Sequence, residues 1–380
     1  METSATQAWA IFYLNLMFSS IEEERRLEVI QKCYWPLLRV IEETGFPSGI
    51  SMAGYTLSEI GRLDPAWIAA LKNLMERGLV EFIAAGQFQI IGPLVPNAVN
   101  RANYRLGNTT YRNILNQVPK LVLVNEQCFS NSMIDHYIDA GYQGFIMDWD
   151  NIQLANPGLN PLWRHAPQIA VSASGRLLPV LWDQSIAFQK FQRFVHGLDS
   201  QDLYDEWLNR YLQAKPAAIS IYCNDVEIFD FRPGRFVNEP IHTGPSEWIA
   251  IGKLLSSYLH NSQLKCVLPH KLLTNCNAKP ETALKLTTAA MPIPTKKQEH
   301  YNVLRWAVSG RDNIHINSRC LALARALDDS KLTEEPHWEE LCYLYASDFR
   351  THITERRWQS YLQRLASFES RWIKPNAYNQ

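Results

Sequence analysis

Hydrophobic positions along the chain follow two alternating patterns. Short apolar runs read as strands at 9–16 (WAIFYLNL), 49–54 (GISMAG), 79–86 (LVEFIAAG), 120–127 (KLVLVNEQ), 144–150 (GFIMDWD), 217–223 and 264–270 (LKCVLPH). Between them lie stretches of helical period. Leu27, Ile30, Tyr34, Leu37 and Ile41 predict a helix over 22–43, kinked at Pro36. The run DPAWIAALKNLMERG is punctuated as a helix, with Asp64 as cap, Pro65 in the first turn and Gly78 at the stop. Further helices are expected around 97–117, 130–141 and 245–260, and a hairpin over 168–182 turning at Ser174-Gly175. Strand–helix alternation calls for a parallel sheet, because parallel strands need crossover connections. The number of such units points to a closed or nearly closed barrel. The proline-containing stretch 276–299 breaks the alternation, and 300–309, 317–328, 337–350 and 354–371 then read as helices. The expected architecture is therefore α/β: a parallel barrel over 1–280 and an α-helical region over 281–380.

Composition narrows the partners. The 380 residues carry 37 basic and 38 acidic side chains, for a net charge of −1. Nucleic-acid or anionic-membrane binding would leave a basic excess, so neither is expected. A neutral polymer or small molecule fits better. The cysteines at 33, 128, 223, 266, 276, 320 and 342 form no CxxC and are odd in number. They read as reduced thiols of a cytoplasmic protein. The N-terminal apolar run lacks a basic flank and is broken by Asn15, and no run approaches the ~18 residues of a membrane span. Twelve tryptophans and sixteen tyrosines suit a large core and equally suit stacking on sugar rings.

In a parallel barrel, active sites form at the C-terminal strand ends. Acids gather there: Glu126 after 120–125, Asp148 and Asp150 around Trp149, Asp183 after Trp182, and Asp225, Glu227 and Asp230 after 217–223. One reading is a carboxylate pair for glycoside cleavage, one acting as nucleophile and the other as proton donor. The other is that these residues cap the helices that follow. The ten histidines form no HxH, HExxH or Asp-His-His cluster, so no metal and no cofactor is expected.

Several segments, in order, resemble glycoside hydrolase family 57. The stretch DVEIFD (225–230) is similar to its Asp-x-Glu-x-Phe motif, and LVNEQCFSNSMIDHYIDAGYQGFIMDWD matches the layout of its strand–helix–strand motif. AGQFQIIGPLVP (85–96) keeps the shape of a third motif, with Gln89 where the family has Glu. Asn15-Leu16-Met17 stands where the family has His-Gln-Pro, Leu123 and Gln127 replace a Trp and an Arg, and Asp230 replaces a Gly. WEELCYLYASDFRTH resembles the helix that carries a Ser-Asp pair toward the active-site mouth.

The resemblance implies an incomplete (β/α)7 barrel with the C-terminal helices beside the active-site mouth. It also implies a retaining hydrolase or transglycosylase acting on an α-glucan or related oligo- or polysaccharide. Glu126 becomes the expected nucleophile, with Arg232, Arg235, Arg305 or Arg311 as its cation, and Asp225 the acid/base. Asn15, Gln89, Asp148, Glu227 and Asp348 are expected to bind hydroxyls, and Trp149, Trp182, Phe229 and Trp306 to stack on sugar rings. The departures keep open a second reading, a carbohydrate-binding protein that has lost turnover. A metal-dependent deacetylase on a related barrel is disfavoured by the missing ligand cluster. Oligomeric state has no sequence signal.

Overall fold

A computed structural model of the chain describes residues 5–234, 242–276, 283–286, 303–331 and 334–373. Nine strands form one sheet: β1 (Thr6–Tyr13), β2 (Ser48–Met52), β3 (Val80–Ala84), β4 (Leu121–Leu123), β5 (Gly144–Asp148), β6 (Gln168–Val171), β7 (Leu177–Asp183), β8 (Ala218–Asp225) and β9 (Leu264–Cys266). Their order is β6-β7-β5-β4-β3-β2-β1-β8, with β9 on β1. Every pairing is parallel except the β6–β7 hairpin, where Gly175 turns at φ 85°. The predicted strands are present; most are shorter than expected, whereas the first lies three residues earlier and β8 runs on to Asp225.

The seven parallel strands from β7 round to β8 make an incomplete barrel. Among the described residues no backbone ladder joins β7 to β8. Ser220 Oγ on β8 instead donates to Asp183 Oδ1 at the end of β7, at 2.6 Å. This side-chain bond crosses the seam. Trp9, Ile11, Ile83, Leu121, Ile146 and Leu181 fill the interior, while a larger cluster lies between the sheet and its helices.

The helix predicted over 22–43 forms without a sharp break at Pro36. A π-helical stretch, Ile30–Tyr34, precedes the α-helix Trp35–Thr44. Pro36 has no N–H to give the carbonyl of Lys32, and Trp248 Nε1 takes that carbonyl at 3.0 Å. Asp64 caps its helix as expected, accepting from Trp67 N at 3.3 Å.

The proposed division at residue 280 lies outside the described residues. Just beyond it, Leu284 exchanges backbone hydrogen bonds with Ile169 and Val171 on β6, at 2.7 and 2.9 Å. The chain thus still touches the sheet past that point. Three long helices follow, Asn313–Asp329, Glu335–Leu344 and Glu355–Trp372. They share an apolar core with Met17, Phe88, Ile90 and Val99 of the barrel segment. An isolated antiparallel bridge, Ile90 to Ala346, ties the two parts together directly beside Gln89 and Ser347.

Candidate active site

The strand ends on one side of the barrel bring together Asn15, Gln89, Glu126, Asp225 and Asp348. Asn15 follows β1 and is held three ways. Its backbone N–H donates to Glu227 Oε1 at 2.7 Å, and its side-chain oxygen accepts from Met17 N at 3.0 Å. Its Nδ2 donates to Gln89 Oε1 at 3.1 Å and to Asp348 Oδ1 at 2.9 Å. Gln89 passes the connection on, with Nε2 donating to Glu126 Oε1 at 3.0 Å. Tyr13 Oη also donates to Gln89 Oε1, at 3.1 Å, and Ser347 Oγ donates to Glu126 Oε1 at 3.3 Å. Gln89 and Ser347, from distant segments, therefore converge on Glu126, with Tyr13 and Asn15 bonded to Gln89.

The backbone at Glu126 is unusual. Glu126 and Gln127 lie in the left-handed region at φ 52° and 56°. Such conformations are disfavoured for non-glycine residues and concentrate where a side chain must be aimed. Glu126, Gln89 and Asp225 each retain partial exposure, whereas Asn15, Tyr13 and Asp348 behind them are buried.

Electrostatics support a crowded acidic mouth. Burial, then the charges of Asp225 and Asp348, push Glu126 up to about 7. Burial raises Asp348 to about 6, with Asn15 and Arg357 opposing the rise. Its Oδ2 is enclosed without a hydrogen-bond partner among the described residues. Carboxyls that feel one another in this way cannot all ionise cheaply, so they share protons. Arg305 is the cation acting on Glu126. Of the other expected cations, Arg232 is bound to Glu247 at 2.6 Å and Arg311 to Glu355 at 2.5 Å, and Arg235 lies outside the described residues.

Other sequence candidates have different work. Glu227 is 0% exposed, and its Oε1 accepts from Tyr34 Oη at 2.5 Å as well as from Asn15 N. It anchors the end of β1 from behind and presents nothing to a sugar. Asp148 Oδ1 accepts from Ser185 N at 3.0 Å and Ser185 Oγ at 2.5 Å, securing the start of helix Ser185–Val195. Trp149 and Trp182 pack edge to face with centroids 5.1 Å apart in the core. Phe229 is enclosed by Phe191, Tyr222 and Trp248. Trp306 is buried with Ile91 and Cys128. None of these four rings offers a free face for stacking. Tyr13, Tyr34 and Ser347 were not anticipated: the tyrosines read as apolar strand and helix positions, and Ser347 as the neighbour of an acid.

Asp230 adopts φ 59°, a conformation glycine takes freely, which fits its place at the family's glycine position. Its Oδ1 accepts from Glu247 N at 2.7 Å and its Oδ2 from Ser246 Oγ at 2.5 Å, while its own N–H donates to Glu247 Oε2 at 2.8 Å. Asp230, His242 and Glu247 have ligand atoms close enough together to hold a metal. The carboxylates are already committed to the helix cap, Arg232 and His196, and the guanidinium adds a positive charge. A cation fits this cluster poorly.

Known proteins resemble the chain in sequence and in fold. Residues 7–278 match the model of glycosyl hydrolase family 57. An alpha-amylase of Pyrococcus furiosus is 21% identical over 212 residues, covering 55% of this chain and 31% of the relative. The chain spans less than a third of the length of the curated relatives it matches. The GH57-type branching enzyme of Pyrococcus horikoshii superimposes with a TM-score of 0.69 at 11% identity, covering 96% of this chain and 88% of that one. The alpha-amylase AmyC of Thermotoga maritima gives 0.67 at 13% identity, covering 99% and 93%. These structural likenesses concern the fold. With the match over 7–278, they place the chain in glycosyl hydrolase family 57.

Proposed function

We propose that the protein is a retaining glycoside hydrolase or transglycosylase acting on an α-glucan or related polysaccharide. The observation that carries this reading is the pairing of a partly exposed, left-handed Glu126 with Asp225 at one strand-end mouth, each within the other's electrostatic reach. Glu126 is the nucleophile and Asp225 the acid/base. In the first step Asp225 protonates the glycosidic oxygen as Glu126 attacks the anomeric carbon. The C–O bond to the leaving sugar breaks and a glycosyl ester forms. Esterification removes the charge of Glu126, so Asp225 then loses its proton easily and serves as base. It takes a proton from water or an acceptor hydroxyl, whose oxygen displaces Glu126. Gln89 and Ser347 orient the attacking carboxylate, and Arg305 favours its ionised form. Asn15, buried behind the mouth, holds Gln89 and is itself bonded to Asp348.

A second reading rests on Asn15 and Gln89. These amides stand where the family resemblance expects His and Glu. In that reading the mouth binds oligosaccharide without turning it over. The seven cysteines are all unpaired, which supports a reducing, cytoplasmic location. Among the described residues no helix is long and apolar enough to cross a membrane.

Incubation with malto-oligosaccharides, amylose and glycogen, followed by analysis of released and lengthened products, separates the readings. Cleavage or transfer that disappears in both Glu126→Gln and Asp225→Asn supports the enzyme. Binding without any product supports the second reading. Full activity in either variant rejects the assigned roles.

A further inference from the structure

A second concave surface lies on the outer layer of the barrel, away from the strand-end carboxyls. It is a groove of about 340 Å³ between helix Asn97–Leu115 and helix Ser132–Asp139. Arg101, Arg105 and Arg112 line it from the first helix and His136 from the second. Arg101 and Arg105 are one turn apart, and Arg112 lies about two turns, ~10 Å, further along the axis. Long arginine side chains spanning that distance can converge on one extended anion.

The positive charge is largely uncommitted. Among the described residues Arg101 and Arg112 have no side-chain hydrogen bond or ion pair, and Arg105 has only an exposed pair with Glu335. Asp139, the acid in the groove wall, is already paired with Arg176 at 2.6 Å. His136 closes the groove wall from the second helix. It is 8% exposed, its Nε2 lies 3.2 Å from Asn97 Oδ1, and its enclosed Nδ1 has no hydrogen-bond partner. Guanidinium forks match phosphate oxygens in pairs, which makes phosphate the fitting anion.

We propose that this groove binds a small molecule carrying two phosphate groups, one held by Arg101 and Arg105 and the other by Arg112. Asn103 of the same helix clamps the backbone of Phe88, at 2.9 and 3.0 Å, beside Gln89. Groove and mouth thus share one structural element while using separate residues.

The test is calorimetric titration of the full chain with inorganic pyrophosphate and with inorganic phosphate at ~150 mM salt, where exposed charges are screened beyond about 8 Å. Pyrophosphate is expected to bind at one saturable site at least tenfold more tightly than phosphate. Arg101→Ala should weaken both probes about tenfold, whereas Arg112→Ala should weaken pyrophosphate and leave phosphate nearly unchanged. Glu126→Gln should bind pyrophosphate like the unaltered protein, so the outcome is independent of the glycosidase roles. No saturable binding, no preference for pyrophosphate, or binding that survives Arg101→Ala overturns the proposal. Both arginines are exposed, so the variants are expected to fold, and their unfolding midpoints check this.

Discussion

Two acid-rich corners of the molecule look alike in sequence and opposite in structure. At one, Glu247 receives hydrogen bonds from Arg232, His196 and the backbone of Asp230, and is pulled down to about 2 despite its burial. At the other, Glu126 receives only Gln89 and Ser347 among the described residues, lies near two further acids, and is pushed up to about 7. The first corner has spent its charge on holding a helix start. The second keeps charge in reserve, on a left-handed backbone, with an open side. Donor supply, rather than the number of acids, separates a cap from a candidate catalytic group.

The largest expected effect comes from exchanging the chemistry of each corner in turn. Glu126→Gln should lower turnover at least about a thousandfold without destabilising the fold. Glu247→Gln should do the reverse. It leaves Arg232 and His196 without their shared anion and should cost about 3 kcal/mol in urea unfolding. If Glu126→Gln instead mainly destabilises, the contrast between the corners fails.

Next in size is the pH dependence of stability. Glu126, Glu227 and Asp183 are each pushed up to about 7, chiefly by burial. Carboxyls whose pKa is raised on folding bind protons more tightly in the folded state. Their stabilisation is complete below about pH 4 and is lost as pH rises through 7. Glu247, lowered to about 2, contributes the opposite limb: its stabilisation is present above about 4.5 and is lost as pH falls toward 2. Urea unfolding should therefore show less stability at pH 8 than at pH 5, by about 2 kcal/mol, and Glu227→Gln should flatten that decline. A flat profile from pH 5 to 8 would show that these carboxyls are not stressed.

The smallest effect sharpens the role of Asp348. The nucleophile must be ionised, so kcat/KM should rise with pH through about 7. Asp348→Asn removes a charge that raises Glu126 and should move this acidic limb to lower pH, by less than about one unit. An unshifted limb would assign the titration to another group.

Much of the fold was legible because barrel strands buried on both faces appear as short apolar runs, and helix caps such as Asp64 carry local signatures. The strand-end location of Glu126 and Asp225 followed from the same pattern. Less legible was which polar residue faces the mouth. Glu227 and Asp225 are two positions apart, yet one is sealed behind Asn15 and the other remains partly exposed. Tyr13 was hidden because a strand tyrosine reads as core whether or not its hydroxyl reaches a site residue such as Gln89. Ser347 and Gln89 are 258 positions apart, and only the bridge between Ile90 and Ala346 reveals that they are neighbours. Trp149, Trp182, Phe229 and Trp306 show the converse: an aromatic near a strand end is as readily structural packing as a sugar platform.

The seam between β7 and β8 has a mechanical consequence. A barrel sealed all round by backbone ladders behaves as a hoop, whose width is set by strand number. This one is a split ring. Ser220 and Asp183 bridge the gap with one hydroxyl and one carboxyl whose pKa burial raises. Compliance in such a ring concentrates opposite or at the split, where a single side-chain bond stands in place of a ladder.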